Sequence, residues 1–244
     1  MITLIHGDCL EEMPLLEPYS VDLVLADIPY QKTQNSWDSI IPFPAMWEQV
    51  KRVAKPDAAI VLFGSQPFTS HLIVSNSQHF KYCWYWDKIS PTGHLNAKKR
   101  PMKKLEDIAV FCYGKLPYYP QGLVWEPRKK SRNETTEGSN NYGKHNSTYT
   151  ATWKGYPTER LIFKNENGLH PTQKPVALLE YLIKTYTTED QVVLDFTAGS
   201  LSTAIAAINT GRSFIGIESS LQYFETGEAR VKEHLLFTQT IERQ

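Results

Sequence analysis

The sequence predicts an α/β fold built on a doubly wound, mostly parallel sheet of seven strands. Three observations carry that expectation. Short apolar runs such as VDLVLA (Val21 to Ala26) and AIVLF (Ala59 to Phe63) suit strands buried on both faces of a parallel sheet. Segments with helical spacing lie between most of these runs, the alternation expected of strands wound by crossover helices. Leu194 to Glu218 then reads as strand, glycine-bearing turn, helix, strand and terminal acid, the pattern of a nucleotide-binding unit.

In chain order, Thr3 to Ile5 is a strand and Leu10 to Leu16 a short helix, followed by the strand Val21 to Ala26. Pro44 to Ala54 is amphipathic and helical, Ala59 to Phe63 a strand, and Pro67 to Val74 a helix. Tyr82 to Trp86 and Ile108 to Cys112 are strands separated by a basic loop. Val176 to Tyr186 carries apolar residues at 176, 179, 182, 183 and 186, with Pro175 suited to a helix's first turn. Val192 to Leu194, the helix Ser202 to Thr210 closed by Gly211, and a strand ending at Ile217 complete the set. Between Tyr113 and Tyr156 the periodicity fails, so this stretch is expected to be an irregular insertion on the rim of the sheet.

Composition bounds the function without choosing it. A chain of 244 residues buries one sizeable core, and 26 basic against 26 acidic side chains point to no partner through bulk charge. Cys9, Cys83 and Cys112 are too few and too far apart for a disulfide framework or a zinc cage. No run approaches the roughly 20 apolar residues of a membrane span, and the first residues lack a signal peptide's pattern. The expectation is an unexported cytoplasmic protein with no metal and no membrane.

Two motifs carry chemistry. In ADIPY, Ala26 to Tyr30, a strand runs into Asp27, with Pro29 fixing the chain and Tyr30 beyond it. A carboxylate, the Ile28 carbonyl and an aromatic face together suit a planar exocyclic amine, whose delocalised lone pair needs hydrogen bonds to both N–H groups before it attacks. A routine strand-end turn would use the same residues. In the second motif the strand ends at Asp195, Gly199 lets the backbone approach a ligand, and Glu218 is placed to accept from ribose hydroxyls. An ordinary strand-helix-strand repeat with a chance glycine and acid remains the alternative. Basic residues cluster at Lys98, Lys99, Arg100, Lys103 and Lys104, and again at Arg128, Lys129 and Lys130, with Tyr142, Tyr149, Trp153 and Tyr156 near the second cluster. Such interleaving suits phosphate contact and base stacking, although charge runs are as often solvated.

ADIPY, followed by HPTQKP (His170 to Pro175) and then LDFTAGS (Leu194 to Ser200), resembles the amino-group DNA methyltransferases of the permuted beta class, of adenine-N6 or cytosine-N4 type. It looks most like the small enzymes of phages and prophages. The resemblance implies a Rossmann-like S-adenosylmethionine-dependent methyltransferase fold with circularly permuted motif order. Residues 1–112 would be its catalytic half, 113–165 an inserted target-recognition region and 166–244 the cofactor half. It implies double-stranded DNA as partner, a restriction-modification setting, and homodimers as in many relatives.

Carried onto this chain, the resemblance makes Asp27, Ile28, Pro29 and Tyr30 the catalytic tetrapeptide. The cofactor would meet Asp8, His170, Thr172, Lys174, Asp195, Phe196, Thr197, Ala198, Gly199, Ser200 and Glu218, with Thr172 and Lys174 toward its amino-acid carboxylate. Lys98, Lys99, Arg100, Lys103, Arg128, Lys129 and Lys130 would contact DNA. Trp86 and Lys88 fall along the family's target-base pocket, although alternate aromatics such as Trp84 and Trp86 are also how sheets pack. A leading Asp is the family's tendency for adenine. Two departures stand out: Ile28 where the family usually has proline, and Leu201 where it usually has a second glycine. Leu201 is expected to crowd the methionine end of the cofactor, which leaves a DNA-binding relic as the rival reading.

Overall fold

The structure is a computed structural model that describes residues 1–29, 41–131, 148–166 and 173–242, without side chains for 127–131, 148–151 and 239–242. The chain divides into two units, Met1–Tyr119 with Glu159–Gln244, and Pro120–Thr158.

The larger unit is organised by an eight-stranded sheet. Its strands are β1 (Ile2–His6), β2 (Val21–Ala26), β3 (Ala54–Gly64), β4 (Phe80–Thr92), β5 (Lys103–Phe111), β8 (Arg160–Ile162), β9 (Val192–Asp195) and β10 (Ser213–Glu218). They lie in the order β1-β10-β9-β2-β3-β5-β4-β8. Pairing is parallel from β1 through β3 and again between β4 and β8. It is antiparallel where the β4–β5 hairpin joins β3. The seven expected strands are present, and β8 adds a short edge strand.

Alternation along each strand splits the core between the two faces. Leu23, Leu25, Val61, Phe63 and Ile108 pack on one face with α4 (Val176–Tyr186), α5 (Ser202–Asn209) and Val231 of α6 (Leu221–Glu242). Val24, Ala26, Ile60, Leu62 and Phe111 pack on the other with Met46, Trp47 and Val50 of α2 (Phe43–Val53) and Leu72 of α3 (Phe68–Ser75). Every residue of β2 is buried, as a central parallel strand requires. A short helix α1 (Cys9–Glu12) follows β1, capped by the Asp8 carboxylate, which accepts from Leu10 N at 2.7 Å.

Two expectations change. Strands β4 and β5 run several residues beyond their apolar centres, because a hairpin with one solvated side carries polar residues there. The stretch read as irregular contains a two-stranded antiparallel ribbon, β6 (Val124–Ser131) with β7 (Thr148–Lys154). Trp125 and Trp153 face each other across it, ring centroids 5.0 Å apart, and both are exposed. A ribbon with little apolar surface to bury shows no core periodicity.

On the first face, the buried Tyr186 hydroxyl accepts from Trp84 Nε1 at 2.6 Å and lies 2.9 Å from the Tyr82 hydroxyl. Trp84 therefore packs in the sheet. Tyr186→Phe leaves the buried indole N–H without an acceptor, and urea unfolding is expected to show a loss of about 1–3 kcal/mol.

Candidate functional site

Strands β9 and β2 are parallel neighbours, but α5 carries the chain from β9 toward β10 on one face while α2 carries it from β2 to β3 on the other. Such a reversal opens a crevice beyond the carboxyl ends of the strands. The crevice here is lined by Asp27, Lys174, Asp195, Gly199, Ser200 and Thr203, among others.

Asp195 ends β9 and is buried. Its carboxylate accepts from Thr203 Oγ1 at 2.6 Å and Thr197 N at 3.1 Å. Burial raises its pKa to about 7, with the nearby Asp27 and Glu218 adding to the shift against the two hydrogen bonds. Glu218 ends β10 and accepts from Gly199 N and Ser220 N, both at 2.7 Å, so it ties the turn to the neighbouring strand. Gly199 has φ of +52°, and a side chain there would meet open space; the glycine serves the backbone conformation. From α6, Arg230 donates to Ser200 O and Ser202 Oγ at 3.1 and 2.9 Å. Phe196 and Ala198 are buried; Ala198 lines the crevice, whereas Phe196 packs within the core of the opposite face and is not part of that lining. Asp8 is exposed and spends one oxygen on its helix cap.

Asp27 follows β2. Its carbonyl accepts from Thr197 Oγ1 at 3.2 Å, which joins the two strand ends directly. Carboxylate oxygen Oδ2 pairs with the Lys174 ammonium, whereas the buried Oδ1 has no hydrogen-bond partner among the described residues. Lys174 also lies 3.2 Å from Glu106 of β5, which pairs in turn with Lys88 of β4. Burial pushes Asp27 upward and Glu106 adds to that, against the pull of Lys174. Glu106 is itself buried, yet the flanking Lys174 and Lys88 ammoniums hold it down to about 2.

Several of the expected site residues have partners within the protein. Lys174 lines the crevice with its ammonium on two carboxylates of the protein, as its burial demands paired charge. Lys103 donates to Ser65 Oγ at the end of β3, and Lys104 pairs with Asp87 at 3.3 Å, so both are engaged within the sheet. Trp86 is buried with its N–H on Phe163 O at 2.8 Å, which is sheet packing. Leu201 adopts φ of +58° as the family glycine would, but it is buried in the core and does not line the crevice. It fits because β10 has Gly216 and α6 has Gly227 opposite; a Cβ on Gly227 would lie 2.7 Å from Leu201 Cγ. Lys98, Lys99 and Arg100 are exposed on the β4–β5 loop, at the same rim of the sheet as Asp27. Tyr30, His170 and Thr172 lie outside the described residues, as do the side chains of Arg128, Lys129 and Lys130. Glu106 and Arg230 carry no signal in the sequence, being ordinary charges among other charged residues in a strand flank and a helix.

Comparison with known proteins agrees with this geometry. A family model described as DNA methylase matches residues 21–229. The chain is 28% identical to DNA adenine methyltransferase YhdJ of Escherichia coli (strain K12), over 94% of this chain and 82% of that protein. It is 24% identical to the type II methyltransferase M2.MboI of Moraxella bovis, over 93% and 86%. The solved M1.HpyAVI–SAM complex superposes with a TM-score of 0.65 at 26% identity, covering 94% of this chain and all (100%) of that one. The cytosine-N4-specific PvuII DNA methyltransferase shares the fold at a TM-score of 0.66 and 17% identity, over 93% and 85%.

Two tests follow from the site's packing and charge. Gly227→Ala is expected to lower stability by about 1–3 kcal/mol through overpacking, beyond the roughly 1 kcal/mol gained in helix propensity; adding Leu201→Ala should recover part of that loss in a double-mutant cycle. Asp195 titrates at about 7 when folded against 3.8 as its ordinary value, so the folded chain holds the extra proton between those limits. Its contribution is favourable at low pH and is lost as pH rises from about 4 to 7. Asp195→Asn should flatten that slope in denaturation measured across this range.

Proposed function

The chain belongs to the DNA methylase family, and from that premise we propose that it transfers a methyl group from S-adenosylmethionine to the N6 amino group of adenine in double-stranded DNA. The observation that carries this reading is the Asp27 Oδ1 atom, buried in the crevice with no partner among the described residues, one strand from the turn at Asp195 to Ser200.

The residues of the turn suit the cofactor. Gly199 leaves open space beside its backbone, and the carboxylates of Asp195 and Glu218 stand at adjacent strand ends, where an ammonium and ribose hydroxyls find acceptors. S-Adenosylmethionine supplies a methyl group already activated by positive sulfur. Asp27 Oδ1 accepts one N–H of the target amine and the Ile28 carbonyl is the acceptor for the other, which aims the nitrogen lone pair at the methyl carbon. As the N–C bond forms and the S–C bond breaks, the sulfur keeps the electron pair. The surplus proton on nitrogen passes to Asp27 and then to solvent. Positioning is the main catalytic contribution. Pro29 stiffens the strand exit, and Tyr30 is proposed to stack on the base once it has left the duplex.

On this reading Lys98, Lys99 and Arg100 contact phosphates beside the site. The unit holding β6 and β7 reads the target sequence, with Arg128, Lys129 and Lys130 on β6; a two-stranded ribbon fits the major groove. Cytosine N4 is the alternative substrate, since its amino group offers the same two N–H donors. Against the relic reading, Leu201 is accommodated by Gly216 and Gly227, and Ile28 still offers the backbone carbonyl that the proposed chemistry uses.

Incubation with unmethylated bacterial DNA and labelled cofactor, followed by nucleoside mass spectrometry, tests the proposal. N6-methyladenosine is expected, reduced about 100-fold or more by Asp27→Ala. N4-methylcytosine overturns the choice of base, and no methylated nucleoside from folded protein overturns the function.

A further inference from the structure

Four charged side chains form an alternating chain through the rim of the sheet: Lys88 on β4, Glu106 on β5, Lys174 ahead of α4, and Asp27 after β2. Glu106 and Lys174 are 4% and 7% exposed, against 16% for Lys88 and 24% for Asp27, so the middle of the chain is closed to solvent and only its two ends approach it. Burying ion pairs contributes little to stability compared with apolar packing of similar volume. Four such groups end to end therefore call for a reason in the chemistry. The end of the chain supplies one, since Lys174 occupies Oδ2 of Asp27 and leaves Oδ1 without a partner among the described residues.

We propose that Glu106 is a positioning residue for methyl transfer: by holding the Lys174 ammonium against Asp27 Oδ2, it keeps Asp27 Oδ1 as the acceptor presented to the target amine. The inference rests on the function proposed above. Glu106 touches neither base nor cofactor and acts only through Lys174. Its second ammonium, Lys88, lies 4.9 Å above the Trp86 ring, which fixes the far end of the chain. Glu106 has a further consequence. Placed behind Lys174, it offsets part of the lysine's pull, so Asp27 stays basic enough to take the proton released by the amine. The other charges facing Asp27 are Lys88 across the same face and the Asp195 carboxylate at the end of β9, which Glu218 of β10 faces in turn.

The chain is tested by the pH dependence of kcat/KM, because Asp27 must be ionised to accept the amine's hydrogen and its titration sets the acid limb. Glu106→Gln removes a negative neighbour and is expected to move that limb to lower pH by about one unit, while Lys174→Met removes the positive partner and moves it to higher pH by at least as much. In both variants kcat should fall while KM for S-adenosylmethionine stays within about twofold, since the groups position an acceptor and do not bind the cofactor. A purely structural role would lower activity without moving the limb in opposite directions. Thermal unfolding establishes that each variant is folded. Should Glu106→Gln not fold, the charge-balanced pair Lys88→Met with Glu106→Gln carries the same test, with a smaller downward shift. An active wild-type enzyme whose acid limb stays in place in these variants overturns the inference. A folded wild-type protein inactive on DNA at every pH overturns instead the function on which it rests.

Discussion

Two carboxylates brought together by the topology set the terms for the rest of the site. Because β9 and β2 pair as parallel neighbours, Asp195 and Asp27 emerge side by side at their carboxyl ends, both raised by burial, with Asp27 adding to the shift of Asp195 and Glu106 to that of Asp27. Repulsion of this kind does not persist in a folded chain without compensation. Thr203 and the Thr197 amide quiet one carboxylate. A lysine reaching in from the segment before α4 quiets the other. The two halves of the site are thus joined electrostatically as well as through the Thr197 hydrogen bond to the Asp27 carbonyl.

The order of motifs along the chain follows from the same arrangement. A sheet of this order needs its reversal between β9 and β2, but nothing requires the strand carrying the acceptor to come after the strand carrying the cofactor turn. Here β2 comes first and β9 much later, and Lys174, lying between them in sequence, reaches back to Asp27 across 147 positions. The small edge strand β8 and the β4–β5 hairpin extend the sheet on the acceptor side, and they bring Glu106 and Lys88 to the rim.

Much of the larger unit is legible in the sequence. Parallel strands announce themselves as unbroken apolar runs, and helices such as Val176–Tyr186 by their spacing, because both signals arise from burial. Local chemistry was legible for the same reason: Asp27, Gly199 and Glu218 stand where strands end. What escaped notice was non-local. The ribbon of β6 and β7 has little core to bury, so it has no periodicity to read. Glu106 is one of two adjacent acids in the polar first half of β5, and only the sheet order reveals that Lys174 and Lys88 flank it. The packing of Leu201 is not legible locally, because the effect of a side chain at a glycine position depends on what stands opposite. Here Gly216 and Gly227 stand there, 15 and 26 positions further along.

That packing also constrains how such a chain changes over generations. Three positions in separate elements share one pocket of space, so the acceptable residue at each depends on the other two. A lineage with glycine at the turn and bulkier residues on β10 and α6 cannot acquire leucine there in a single step without a clash. A lineage with this trio cannot restore the turn glycine without leaving a void. Passage between the two states runs through small residues at all three sites. Turn variants of this kind should therefore fall into discrete sets, each internally compatible and poorly tolerant of recombination with the other.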